Sequence, residues 1–90
     1  MLSPVYTAQF RRDVQKCQQR GKDMVKLKAA AALLLEQTPL PPQYRDHALK
    51  GAWKNRRELH LEPDWLLVYK VGGEHCAFDR TGTHSDLFKK

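Results

Sequence analysis

The sequence predicts an α+β domain in which a two-helix hairpin packs on one face of a small antiparallel sheet of about four strands. The predicted order is β-α-α-β-β-β, and 90 residues leave room for a single domain, residues 1–90. Three observations predict this class. Apolar and polar residues alternate over Arg57–Glu62, as in a strand with one buried face. Two stretches before residue 40 instead carry apolar residues at helical spacing. Gly72-Gly73 separates two strand-like runs and is typical of a hairpin turn.

The chain begins with a predicted strand over residues 2–6, which Pro4 confines to the edge of the sheet. Thr7 is a suitable N-cap for a first helix over residues 8–20. Gly21 ends that helix because glycine readily adopts the left-handed conformation of a helix C-terminus. The helix has an apolar stripe made of Phe10, Val14 and Cys17.

Asp23 caps a second predicted helix over residues 24–37. The inward-facing residues of this helix are Leu27, Ala31, Leu34 and Leu35. Residues 38–42 contain three prolines, so they cannot continue the helix and form a stiff connector. Residues 43–54 show no period, and we interpret them as a loop that leads into the sheet.

The second half of the chain predicts a meander of three strands. They cover residues 55–62, 65–71 and 74–81. Pro63-Asp64 forms the first turn, because proline presets φ and aspartate tolerates the bend. Residues 85–88 are predicted to form one helical turn before a frayed end at Lys89 and Lys90.

Basic residues are concentrated in the first half of the chain. The net charge is +6, and residues 1–45 hold eight Lys or Arg against three Asp or Glu. Such an excess indicates a polyanionic partner. Three of these residues lie on the outer face of the predicted helix hairpin: Lys22, Lys26 and Lys28. We interpret these lysines either as contacts to a phosphate backbone or as part of an ordinary solvated helix surface.

Two cysteines, Cys17 and Cys76, match no metal-binding spacing. We interpret them as buried free thiols, although a disulfide is possible. The chain has no apolar leader segment and no run of 18 apolar residues, so we expect a soluble, cytoplasmic protein without a membrane partner.

Histidines and charged groups are predicted at loop positions and strand ends of the second half. They are His47, His60, Asp64, Asp79, Arg80 and His84. Imidazole transfers protons well near pH 7, and arginine stabilises a phosphate that gains charge. An RNA substrate supplies its own nucleophile, the 2′-hydroxyl. Cleavage of its phosphodiester bond then needs only a base for the hydroxyl proton, an acid for the leaving 5′-oxygen and a cation for the phosphate. We therefore expect no metal and no other cofactor.

Four motifs carry a resemblance to a known family. They are Lys22-Asp23-Met24-x-Lys26-Leu27-Lys28, Asp46-His47-x-Leu49-x-Gly51-x-Trp53, His60-x-Glu62-Pro63-Asp64-Trp65-Leu66-Leu67-x-Tyr69-Lys70 and Arg80-Thr81-Gly82-Thr83-His84-Ser85-x-Leu87-Phe88. With them, nearly the whole chain resembles the YafQ branch of the RelE/ParE toxin superfamily. The resemblance implies a RelE-like fold and a toxin of a bacterial type II toxin–antitoxin system. It also implies an endoribonuclease that cuts mRNA in the A site of the 70S ribosome.

The resemblance assigns roles to individual residues. Four match the family's catalytic group: His47, His60, Asp64 and His84. Three match residues that support activity: Trp65, Arg80 and Phe88. We expect His84 to lead the acid–base chemistry, Arg80 to clamp the phosphate, and Asp64 and His60 to share the second proton transfer or orient the base. Cleavage would leave a 2′,3′-cyclic phosphate. A cognate antitoxin would neutralise the toxin in a heterotetramer that binds operator DNA through the antitoxin.

Three other functions stay open at this point. A ParE-like toxin would bind gyrase without catalysis, but that branch generally lacks the histidine cluster. A metal-dependent hydrolase could use a set of four residues as zinc ligands, although their spacing matches no zinc motif: His47, His60, Asp64 and His84. A plain RNA-binding module would leave RNA uncut. Some of these residues could have only a structural role. Trp65 and Trp53 could belong to the core, and Phe88 could close it. Arg80 could form an ion pair with Asp79 or Glu58.

Overall fold

Three helices and a five-stranded sheet make up the described part of the chain, residues 1–88 of the computed structural model. The elements are β1 (Ser3–Tyr6), α1 (Ala8–Gln19), α2 (Met24–Leu35), β2 (His47–Ala48), β3 (Arg57–Glu62), β4 (Trp65–Gly72), β5 (His75–Gly82) and α3 (His84–Phe88). The predicted α+β class, helix hairpin and meander are confirmed. The predicted frayed end at Lys89 and Lys90 lies outside the described residues.

The capping residues bound the two long helices as predicted. The Thr7 hydroxyl and the Asp23 carboxylate each accept a hydrogen bond from a first-turn N–H group. Gly21 follows α1 with a φ of +80°. The second helix ends at Leu35 instead of residue 37, because Gln37 adopts a left-handed φ of +57°. This conformation closes the helix two residues early.

The sheet has five strands in the order β1-β5-β4-β3-β2, not about four. It is also mixed, because β1 pairs with β5 in parallel, with Ser3 opposite His75 and Tyr6 opposite Phe78. The expectation of a purely antiparallel sheet was wrong at this edge. Short turns force neighbouring strands to run antiparallel, but nothing local sets the direction of strands that are far apart in sequence.

The extra strand, β2, lies within the predicted loop 43–54. It has two residues, and it pairs antiparallel with β3 through His47 opposite Glu58 and Ala48 opposite Arg57. Two residues are too few to show a period of two, so only the partner strand reveals it. Short 3₁₀ turns at Pro42–Tyr44 and Gly51–Trp53 flank it.

Both faces of the sheet are covered. The larger core lies under α1 and α2, and its fully buried members include Ala30, Leu59, Trp65, Leu67 and Cys76. A smaller core on the other face consists of Leu66, Val68 and Leu87, against which Leu49, Trp53 and Phe88 pack. Residues 65–69 of β4 are therefore buried on both faces of the sheet, which explains why this apolar run does not alternate.

The two cysteines are buried free thiols, as expected. Burial, assisted by the negative charge of Asp79, raises the pKa of Cys76 to about 11. The Cys76 side chain is therefore protonated at neutral pH and serves as core packing. Within residues 1–88, no helix has the length and apolar character needed to cross a membrane.

Candidate active site

Three histidines lie in a row across the sheet face that is opposite α1 and α2. His47 comes from β2, His60 from β3, and His84 begins α3. The ring centroids of His47 and His60 are 6.0 Å apart, and those of His60 and His84 are 6.1 Å apart. Residues two apart on a strand point to the same face, so Glu58 lies on this face beside His60. The structure thus brings together three predicted site residues from separate elements.

Asp64 fixes the position of His84. Its Oδ1 atom lies 2.5 Å from His84 Nδ1 and accepts the backbone N–H of the same residue at 2.9 Å. The backbone hydrogen bond, followed by the side-chain one, lowers the pKa of Asp64 below its ordinary value. The Nδ1 proton is therefore held by a carboxylate, and Nε2 is left to exchange a proton with a substrate. The His84 and Asp64 side chains are 53% and 66% exposed, so a ligand from solvent can reach them.

Helix α3 has only five residues and is held in place by its neighbours. Thr83 and Asp86 form a capping box: each accepts a hydrogen bond from the other's backbone N–H, at 3.1 and 3.0 Å. Asp86 also pairs with Arg20, the C-cap residue of α1, at 2.6 Å. The Arg20 hydrogen bond is the main reason that the pKa of Asp86 lies well below its ordinary value. A Cβ at Gly82 would lie 2.9 Å from the Asp86 carboxylate, so this close approach requires glycine.

His47 lies at the other end of the row. Its Nδ1 atom is 2.8 Å from the Arg45 carbonyl oxygen, and its Nε2 atom is 3.3 Å from Oε1 of Glu58. The preceding residue, Asp46, accepts hydrogen bonds from Arg57 and from the Tyr69 hydroxyl. Burial and the Asp46 hydrogen bond raise the pKa of Tyr69 far above its ordinary value, so this hydroxyl remains a donor.

His60 lies between the other two histidines. Its Nδ1 atom is buried and has no hydrogen-bond partner within residues 1–88. His47, Glu58 and His60 each offer one ligand atom, and these atoms all lie within 4.8 Å of one another. Two imidazoles and a carboxylate suit a transition-metal ion, so this part of the row could hold one. The zinc-ligand set named from sequence instead paired these histidines with Asp64 and His84.

Arg80 is placed on the same sheet face, opposite Val68, but its guanidinium is engaged elsewhere. Its Nε and Nη2 donate to Asp13 of α1 at 2.7 and 3.2 Å. Asp13 also accepts the backbone N–H of Thr81 at 3.1 Å. The ion-pair partner of Arg80 is thus neither Asp79 nor Glu58, because Asp79 pairs with Arg56. Arg80 is therefore held toward α1, and its role as phosphate clamp stays a prediction.

Trp65 and Phe88 differ in their exposure to a substrate. Trp65 is fully buried, and its Nε1–H donates to the Thr81 hydroxyl at 3.0 Å. Phe88 is half-buried and packs edge-on against Trp53, with ring centroids 5.6 Å apart. A cavity of about 620 Å³ lies beside it. The cavity is lined by Leu49, Glu58, His84, Ser85 and Phe88.

Two of the three predicted binding lysines connect α2 to the site. Lys22 and Lys26 pair with the two oxygens of Glu62, at 3.0 and 2.9 Å. Hydrogen bonds from Lys26 and then Lys22 lower the pKa of Glu62. Lys28 is exposed on the same helix. Lys22 and Lys26 therefore attach the start of α2 to the end of β3. The three lysines still present positive charge to solvent.

Three residues of the site were missed in the sequence analysis: Asp13, Glu58 and Asp86. Asp13 occupies the buried stripe of α1 between Phe10 and Cys17, and a carboxylate on an apolar stripe signals a buried ion pair. The spacing of Thr83 and Asp86 is that of a capping box. Glu58 lies on the predicted polar face of β3. It is nevertheless buried, beside His47 of β2, a strand that the sequence did not reveal.

Comparisons with known proteins show the family to which the chain belongs. The family model described as a bacterial toxin of a type II toxin–antitoxin system, YafQ, matches residues 2–89. The mRNA interferase toxin YafQ of Escherichia coli K12 is 50% identical over 84 residues, which cover 92% of this chain and 91% of that protein. A crystal structure of the E. coli DinJ-YafQ toxin–antitoxin complex matches with a TM-score of 0.89 and 46% identity over 97% of both chains. A metal-bound toxin from Helicobacter pylori matches with a TM-score of 0.92 and 38% identity, over 98% of this chain and 100% of that one.

Proposed function

Because the chain belongs to the YafQ family of type II toxins and is an mRNA interferase, we propose that it cleaves mRNA in the ribosomal A site by metal-independent acid–base catalysis. The observation that carries this proposal is the hydrogen bond between His84 Nδ1 and Asp64 in a row of three imidazoles. An oriented histidine beside other titratable groups is what proton transfer at a phosphodiester requires.

The reaction follows from the chemistry of RNA. The 2′-oxygen attacks the adjacent phosphorus while a base removes its proton, and an acid protonates the leaving 5′-oxygen. The P–O5′ bond breaks, giving a 2′,3′-cyclic phosphate and a 5′-hydroxyl. We assign one proton transfer to His84, oriented by Asp64, and the other to His60, whose ring lies 6.1 Å away. His47, beside Glu58, would stabilise the developing charge.

The remaining site residues act around this centre. Arg80 would bind the phosphate when the phosphate competes with Asp13 for its guanidinium. Phe88, at the edge of the cavity, would contact a base. Trp65 would support activity from within the core, because its ring is buried.

The ribosome and an antitoxin are the proposed partners. The site is open and offers few groups to grip RNA, so the ribosome would supply the positioning of the mRNA. The E. coli relative has been crystallised with its antitoxin DinJ, and we propose that a cognate antitoxin neutralises this chain in the same way. We further propose that their complex is a heterotetramer that binds operator DNA through the antitoxin.

Primer extension on an mRNA translated in a purified system tests the proposed function. We expect discrete cuts in frame with the codons, and no cuts in the same mRNA without ribosomes. Uniform cutting of free RNA would contradict ribosome dependence. A folded protein that leaves the mRNA intact would contradict cleavage, and inhibition of gyrase would then be assayed.

A chelator is expected to leave cleavage unchanged, because the 2′-hydroxyl and the histidines supply the nucleophile, acid and base. Excess Zn²⁺ or Cu²⁺ is expected to inhibit, since an ion on His47, Glu58 and His60 would occupy the nitrogen lone pairs needed for proton transfer. Initial cleavage rates with a chelator selective for transition metals, in excess Mg²⁺ so that the ribosome stays intact, and then with added Zn²⁺ or Cu²⁺, check both statements. Loss of activity in this chelator that returns with Zn²⁺ or Cu²⁺ would establish a metal-dependent hydrolase instead.

Replacing Lys22, Lys26 and Lys28 with glutamine is expected to weaken ribosome binding and flatten its salt dependence. Each lost phosphate contact lowers the slope of log K against log salt by about 0.7–0.9. Co-sedimentation with ribosomes over a salt series measures the slope. Lys70→Gln is the matched control, because Lys70 is exposed on β4. The charge proposal is wrong if the triple variant and the control have the same slope.

A further inference from the structure

We propose that the Glu58 carboxylate reads a base of the bound mRNA, accepting a hydrogen bond from an exocyclic amino group and so selecting adenine, cytosine or guanine over uracil at one position beside the cleaved bond. This proposal rests on the proposed function. It assigns Glu58 a role in specificity that is separate from proton transfer.

Glu58 is a buried carboxylate with unfilled hydrogen-bonding capacity. The residue is only 4% exposed. Within residues 1–88, its only salt-bridge partner is His47, at 3.3 Å from Oε1, and no donor makes a hydrogen bond to either oxygen. An ionised carboxylate can accept about four hydrogen bonds, and Glu58 lines a cavity through which donors can reach it. The unused capacity therefore points to a donor that arrives with a ligand.

The cavity beside Glu58 has the volume and the lining to admit a nucleobase. Leu49 and Phe88 give it apolar walls, and Glu58 and His84 supply the polar groups. Trp53 braces the Phe88 ring by packing edge-on against it. Single-stranded RNA is commonly bound by stacking its bases on such aromatic rings. Because His84 lines the same cavity, the bound base belongs to a nucleotide next to the reacting phosphate.

A carboxylate discriminates among bases because it accepts hydrogen bonds and donates none. Adenine N6, cytosine N4 and guanine N2 carry amino donors, whereas uracil presents carbonyl oxygens at the corresponding positions. Uracil offers only its N3–H imino donor, and the carbonyl oxygens on either side of that group would lie against the negative charge of the Glu58 carboxylate. A site built to pair with an amino group rejects the base that lacks one.

The first test replaces Glu58 with glutamine, which keeps the shape of the side chain but adds an amide donor that can pair with uracil O4. Primer extension would use mRNAs that differ only in the nucleotides on either side of the cut. We expect the wild type to cut at least about tenfold more slowly when uracil occupies one of these positions. In Glu58→Gln this ratio should fall toward one. Glu74→Gln, an exposed change in the β4–β5 turn, should keep the wild-type ratio.

The second test measures base binding without cleavage. NMR titrations of the wild type with AMP, CMP, GMP and UMP, in the presence of a chelator, would follow the signals of Phe88 and Leu49. We expect UMP to bind most weakly in the wild type and to lose this disadvantage in Glu58→Gln. This readout separates the two proposals, because a protein that fails to cleave mRNA can still bind nucleotides selectively.

Two results would overturn the role of Glu58. One is equal binding of all four nucleotides by the wild type. The other is a Glu58→Gln variant that cleaves every mRNA more slowly by the same factor, with an unchanged base preference. That outcome would show that Glu58 acts only through His47.

Discussion

Replacing His84 with alanine is expected to slow mRNA cleavage by about 10²- to 10⁴-fold while leaving the fold intact, since that is the usual contribution of one acid–base group. The side chain is 53% exposed, so its removal leaves no cavity in the core. Alanine also favours the helical conformation that α3 needs. The measurement is the cleavage rate in a purified translation system, with thermal unfolding as the check on folding.

His75→Ala is the matched control for this variant, because His75 is exposed at the opposite end of β5. It should cleave as fast as the wild type. Asp64→Asn is the second arm: it keeps a side-chain oxygen for the His84 backbone N–H but removes the charge. We expect it to lower the rate and change the pH–rate profile. Wild-type cleavage by a folded His84→Ala variant would remove His84 from the mechanism.

Replacing Trp65 with alanine is expected to cost about 3–5 kcal/mol in the free energy of unfolding, the usual range for a buried aromatic residue. Trp65 is fully buried, donates a hydrogen bond to Thr81, and has Lys22 Nζ 5.6 Å from its ring centroid. Domains of this size have roughly 5–15 kcal/mol in total. We therefore expect a large fraction of the variant to be unfolded, as measured by urea denaturation.

Trp65→Phe separates a structural role from RNA contact. It keeps most of the packing and loses the hydrogen bond to Thr81, for a cost of about 1–3 kcal/mol. Because the ring is buried, the cleavage rate per folded molecule should match the wild type. A stable Trp65→Phe protein without activity would instead show that the indole takes part in the reaction.

The elements that were predictable from sequence are those with local causes. The caps at Thr7 and Asp23 bind N–H groups two or three residues away, so they mark helix starts whatever the rest of the chain does. The parallel pairing of β1 with β5 has no local cause, and β2 is too short to have a period. Both features affect the site, because β2 carries His47, and β5, the partner of β1, leads to His84.

The site likewise contains residues that could be predicted from sequence and contacts that depend on distant segments. The residues that the family resemblance named, His47, His60, Asp64 and His84, do meet on one face. The partner of Arg80 could not be anticipated, because Asp13 reaches it only when α1 packs beside β5. Glu58 looked like a solvent-facing strand residue and is buried, with His47 of β2 beside its carboxylate.

The pairing of β1 with β5 affects the order in which the toxin matures while it is being made. Domains fold during synthesis from the N-terminus onward, and contacts between distant segments form late. Residues 3–6 lack their strand partner until residues 75–78 have emerged, and His84 emerges later still. A ribosome that synthesises this chain therefore carries an incomplete nuclease until the last segment is released.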